Sequence, residues 1–117
     1  MSMLAFQPFA NLYRSLPIQA QKRLQETARG YVKALDRAIA EVLSPVAGRS
    51  GDLFLVADEI IPLYGVGPTP EEAAADYRSV VVEYYESLQE DAGELADVLR
   101  EQLEVLRQVF ALAERIA

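Results

Sequence analysis

One stretch of this chain fixes where a helix must begin. In Thr69-Pro70-Glu71-Glu72, the Thr69 hydroxyl can accept from the amide three residues on, and the Glu72 carboxylate can return the bond, which is a capping box. Pro70 sits where a helix has no use for its missing amide, and two carboxylates lie where the helix dipole favours them. Ahead of this start runs Gly65-Val66-Gly67-Pro68, a tight, glycine-permissive segment. Behind it, Ala73, Tyr77, Val80, Tyr84 and Leu88 mark one face of a helix.

The same reasoning divides the rest of the chain. Leu4, Phe6, Phe9, Leu12 and Tyr13 suggest a short helix or packed arm over residues 4–14. Ser15-Leu16-Pro17 then looks like the start of a longer helix. In it Leu24, Ala28, Tyr31, Leu35, Ala38 and Val42 recur at alternating spacings of four and three, and Ser44-Pro45 ends it. Residues 45–52, PVAGRSGD, read as turn chemistry. Leu53–Ala57 reads as a strand, Asp58-Glu59 as a turn, and Ile60–Tyr64 as a second strand held to a sheet edge by Pro62.

Past Leu88 two readings stand. Asp91 with Glu94 can cap a new helix after a break near Gly93, or the apolar stripe runs on through one long helix. Apolar residues on two faces of the last segment, from Leu95 to Ile116, imply two neighbours, one of which can be another subunit. The expected fold class is α+β, mostly helical, with a β-hairpin packed against three or four helices. The expected single domain comprises N-terminal helices over 1–45, a hairpin over 52–65, and a long helix or helical hairpin over 70–116.

Composition limits the chemistry. The 117 residues include no cysteine and no histidine. A disulfide framework, a thiol nucleophile and the usual general base are therefore missing. No run approaches the length of about 20 apolar residues that crosses a bilayer, and the first residues lack a basic segment ahead of a long apolar one. The expected location is the cytoplasm, with no membrane and no cofactor.

The net charge of −7 is uneven. Residues 1–58 carry seven Lys or Arg against five Asp or Glu, and residues 59–117 carry four against thirteen. Nucleic-acid binding is disfavoured, because neutralising phosphates needs clustered cations. The polarity fits either a basic helix packed beside an acidic one or an acidic half that docks on a basic partner.

Three patterns could carry a site. Gly65-x-Gly67 before a helix suggests a phosphate loop, but Pro68 and Pro70 remove amides and Glu71 and Glu72 repel anions. It reads instead as a structural turn, with Gly65, Gly67, Thr69 and Glu72 serving turn and cap. Glu94, Asp97, Glu101 and Glu104 recur at three, four and three along one helix face. That stripe is a solvated face, a docking face for a basic protein, or a hard-metal site. A metal site in a bundle normally recruits histidine, so no metal is expected, and these four carboxylates are the candidate partner-binding residues. Finally, Lys22, Arg29, Lys33 and Arg37 form a basic stripe expected to pair with the acidic helices.

From Gly51 to about Leu88 the chain resembles the central part of HicB-type antitoxin domains. The matching residues are Phe54, Val56, Asp58, Tyr64, Gly65, Gly67, Thr69, Glu72 and Ala73. Such domains typically have three strands about their helix and often a C-terminal DNA-binding element, where this sequence suggests two strands and then only helix. The resemblance implies a non-enzymatic domain that binds a small toxin, often a basic ribonuclease, and dimerises. Two other functions are compatible with the residues: a structural or adaptor subunit assembling through its C-terminal helix, and a carboxylate-dependent metal enzyme.

Overall fold

The computed structural model describes residues 17–117. Helix α1 spans Ile18–Val42, its first turn closed by the Gln21 amide on the Pro17 carbonyl at 3.0 Å. The expected short helix over residues 4–14 lies outside the described residues. The chain divides into two compact units, one up to Lys33 and one from Ala34 onward. In the first, residues 18–33 are helical and mostly exposed, including Lys22, Arg29 and Lys33. Everything that follows concerns the second.

That unit is α+β and mostly helical. After the last turns of α1 come β1 (Val46–Ser50), β2 (Leu53–Ala57) and β3 (Tyr64–Gly67), then α2 (Pro70–Glu90) and α3 (Asp97–Ile116). The strands form one antiparallel sheet in the order β1-β2-β3. One core joins the helices: Leu35, Ala38 and Ile39 from α1, Tyr77, Val81 and Leu88 from α2, and Leu103, Leu106, Val109 and Ala113 from α3.

Three expectations need correction. Residues 45–52 are not a turn. Val46–Ser50 pairs with all of β2, and only Gly51-Asp52 turns, with Gly51 at φ 63° in the manner of a type II′ hairpin loop. Gly48 and Ser50 are weak strand formers, but the apolar partner strand LFLVA decides the matter. Nor is Ile60–Leu63 a strand. Asp58 gathers that segment, accepting from the amides of Ile60 at 2.7 Å and Ile61 at 2.8 Å, and Ile61 becomes a fully buried plug in the helical core. The second expected strand lies later, at Tyr64–Gly67, so the segment read as an exit turn is β3.

Residues 70–116 form two helices rather than one. The chain breaks at Asp91–Ala96, around Gly93, and α3 folds back on α2. Tyr85 stacks on Phe110 with ring centroids 4.3 Å apart and planes 13° from parallel, and the Tyr84 hydroxyl donates to Gln102. The cap of α3 is Ala96, without a side-chain bond, and not Asp91 with Glu94. Arg100 steadies the connection by donating to the Leu95 carbonyl at 2.8 Å.

Candidate functional site: the open face of the sheet

Cross-strand pairing sorts the sheet into two faces, because partners in register project to the same side. Ala47, Val56 and Gly65 form one row, and Arg49, Phe54 and Gly67 the next. The β3 and β2 members of these rows lie under α2, while Ala47 and Arg49 at the far end are exposed. Gly67 lacks a Cβ that would stand 2.6 Å from the Ala73 amide nitrogen, and one on Gly65 would stand 2.5 Å from the Ala73 carbonyl oxygen. The two glycines therefore set how closely β3 approaches the helix. Both lie in a strand and not in the turn expected from the sequence, and what they serve there is backbone packing. Arg49 lies over the Phe54 ring at 5.0 Å on this same face.

The cap works as read in one direction. The Thr69 hydroxyl accepts from the Glu72 amide at 3.1 Å. Among the described residues, the return bond from the Glu72 carboxylate is not formed. The carboxylate four residues further on does more here, as a backbone acceptor and not as one of a metal-binding or acid–base pair with Glu72. Asp76, in the second turn of α2, accepts from the Val66 amide at 2.9 Å. Because Val66 lies on the strand at the sheet's edge, this bond takes up one of the outward amides of β3.

Among the described residues nothing covers the opposite face. Its rows are Val46, Ala57 and Tyr64; then Gly48, Leu55 and Val66; then Ser50 and Leu53. Val46 is 71% exposed, Tyr64 64%, Leu53 44%, and Ile60 beside them 47%. A groove of about 710 Å³ runs between the end of α1, β1, β2 and the β2–β3 connection, with Leu43, Leu55 and Ile60 in its walls. Asp58 and Glu59 stand at its margin. The Asp58 carboxylate is already engaged by two amides and by the Tyr77 hydroxyl, whereas Glu59 is exposed. Exposed apolar area of this extent on one side of a small sheet is characteristic of binding surfaces.

The four carboxylates singled out from the sequence are only partly brought together. Asp97, Glu101 and Glu104 share a shallow depression on α3 with Arg100. Glu94 lies in the α2–α3 connection, so the expected four-member stripe on one helix face has three members. Two of these are offset within the helix, Asp97 by Arg100 at 3.9 Å and Glu104 by Arg107. Among the described residues no group of three or more Asp and Glu is arranged to hold a metal ion. The expected pairing of a basic α1 with acidic helices occurs with the signs reversed, as Arg78 of α2 grips Asp36 of α1 at 2.9 and 3.0 Å.

Among the described residues, Tyr77 is the one strongly perturbed tyrosine. Burial, then the hydrogen bond to Asp58 and that group's negative charge, push its ionisation far above the ordinary value. The residue is buried in the core, with its hydroxyl donating to Asp58. Compared with known protein families, curated proteins and solved structures, the chain returns no match. No helix among the described residues is long and apolar enough to cross a membrane.

Proposed function

We propose that this chain is a non-enzymatic, protein-binding regulator of the antitoxin kind, and that its partner is a small basic protein seated on the open face of the sheet. The observation that carries the reading is the exposure of Val46 and Ile60 at the groove, together with Leu53 and Tyr64 on the same face of the sheet. An aromatic and several aliphatic side chains on a rigid sheet make a suitable anchor for a partner. The absence of imidazole and thiol from the sequence supports a role exercised through surfaces. So does the likeness of residues 51–88 to HicB-type domains, with which a three-stranded sheet is in keeping.

Charge supports the sign of the partner. Thirteen carboxylates against four cations in residues 59–117 give a field that draws in a cationic protein. Glu94, Asp97, Glu101 and Glu104 serve here to steer rather than to anchor, since Arg100 and Arg107 neutralise two of them. An adaptor that assembles through α3 has less behind it. Leu103, Leu106, Val109 and Ala113 are already buried within the chain.

The test is calorimetric titration with the basic protein encoded beside this gene. Wild type should bind, and Tyr64→Arg and Ile60→Arg should weaken binding by about tenfold or more each, as expected for anchor residues. Both positions are exposed, so urea midpoints should not move. Glu101→Lys should slow association and change its salt dependence while leaving dissociation alone. No binding by wild type, or full binding by both arginine variants, refutes the proposal.

A further inference from the structure

We infer that β1 is the seam of a homodimer, in which two copies pair antiparallel along Val46–Ser50 about a two-fold axis at Gly48 and merge their sheets into one of six strands. The two edges of the sheet differ sharply. On the outer side of β3 the Asp76 carboxylate of α2 already takes the Val66 amide, and the helix lies hard against Gly65 and Gly67. All five residues of β1 are exposed, and among the described residues no strand lies along its outer side. Nor does β1 carry the devices that usually blunt an edge, having no proline, no bulge and no lysine. Its one charge, Arg49, is laid over Phe54 on the helix-covered face.

The register follows from the hairpin. With Gly51-Asp52 as a two-residue loop, Ser50 and Leu53 exchange hydrogen bonds next to the turn. Bonding pairs alternate along an antiparallel ladder, so Val46, Gly48 and Ser50 turn their amides and carbonyls toward β2. Ala47 and Arg49 turn theirs outward. A two-fold axis at Gly48 sets Ala47 opposite Arg49 of the second copy, and the reverse, which satisfies all four outward-facing residues at once. Like charges never stand opposite one another, because each arginine meets an alanine. Val46 meets Ser50 of the second copy on the open face, so the two grooves lie along one continuous surface.

This pairing does not depend on the partner proposed above, and the two fail separately. Because the chain contains no cysteine, single cysteines read the register directly. Gly48 has open space where a side chain would stand. Across the axis its Cα atoms would be about 4.5 Å apart, within reach of a disulfide. Val46 and Ser50 would each lie about 14 Å from their own counterparts. Gly48→Cys should therefore form a covalent dimer under mild oxidation. Val46→Cys alone and Ser50→Cys alone should not, whereas an equimolar mixture of those two should. Light scattering should give twice the monomer mass for wild type and the monomer mass for Ala47→Pro. That variant removes an outward amide and leaves the β1–β2 ladder intact, as an unchanged circular dichroism spectrum would verify. A monomeric wild type overturns the inference, as does a Gly48→Cys variant that crosslinks no faster than either flanking cysteine.

Discussion

The Asp76 carboxylate accepts a 2.9 Å hydrogen bond from the amide of Val66, so a helix side chain occupies a donor that the edge of β3 would otherwise present. Asp76→Ala should leave that half-buried amide unsatisfied and cost about 1–3 kcal/mol. Asp76→Asn keeps an acceptor and should recover most of the loss. Urea denaturation of the three proteins side by side checks this, and equal stability of Asp76→Ala and wild type would remove the role.

Gly65 and Gly67 should be intolerant of any side chain. A Cβ at either position would run into the backbone of Ala73 or Tyr77, which cannot swing aside as a side-chain tip would. Gly65→Ala and Gly67→Ala should each cost at least about 3 kcal/mol, the upper part of the range for overpacking. Gly48→Ala meets open space and should change stability by less than about 1 kcal/mol, with the favourable sign. A similar loss at all three positions would contradict the packing argument.

Stability should fall in alkali more steeply than exposed tyrosines would allow. Tyr77 is buried and hydrogen-bonded to Asp58, which raises its folded-state ionisation far above the unfolded value of about 10. Below that pH both states hold the proton and the contribution is complete. Above it the unfolded chain loses the proton while the folded chain keeps it, so stability drops by about 1.4 kcal/mol per pH unit for this one group. Tyr84 is shifted in the same direction by burial. Urea midpoints measured across the alkaline range should show a shallower slope in Tyr77→Phe than in wild type.

Ser44 ends α1 in the left-handed region, at φ 50°. Its amide reaches the Ile39 carbonyl at 3.2 Å and its hydroxyl the Ala40 carbonyl at 3.2 Å. The left-handed backbone costs a non-glycine residue roughly 1–2 kcal/mol, and the exposed hydroxyl bond offsets part of this. Ser44→Gly should therefore raise stability by about 1 kcal/mol, visible as a higher melting temperature. A lower one would mean that the hydroxyl bond outweighs the strain.

The helices were legible because their signals are local. The alternating spacing from Leu24 to Val42 and the cap at Thr69-Pro70 each depend on residues within a turn or two, and both mark helices that form. Only β2 was legible in the sheet. VAGRS carries no alternation of apolar and polar residues, because none of its side chains is buried. Gly65-Val66-Gly67 looks like a turn because glycine most often marks one. Here it marks a strand pressed against a helix, a demand made by residues five to twelve positions away. Ile60-Ile61-Pro62-Leu63 misled in the opposite sense, since its apolar character serves the plug at Ile61. The acidic stripe was visible as charge, but the break before α3 that removes Glu94 from it was not. The open groove left no sequence signature, for exposure is a property of what fails to pack on a surface.

The two borders of the sheet are unequal acceptors of a further strand. Among the described residues β1 has no strand on its outer side, whereas on β3 a carboxylate already takes the Val66 amide and α2 lies hard against Gly65 and Gly67. Addition at β1 has less to displace than addition at β3, so growth by stacking strand on strand, the route by which bare borders lead to fibres, is disfavoured at its second step.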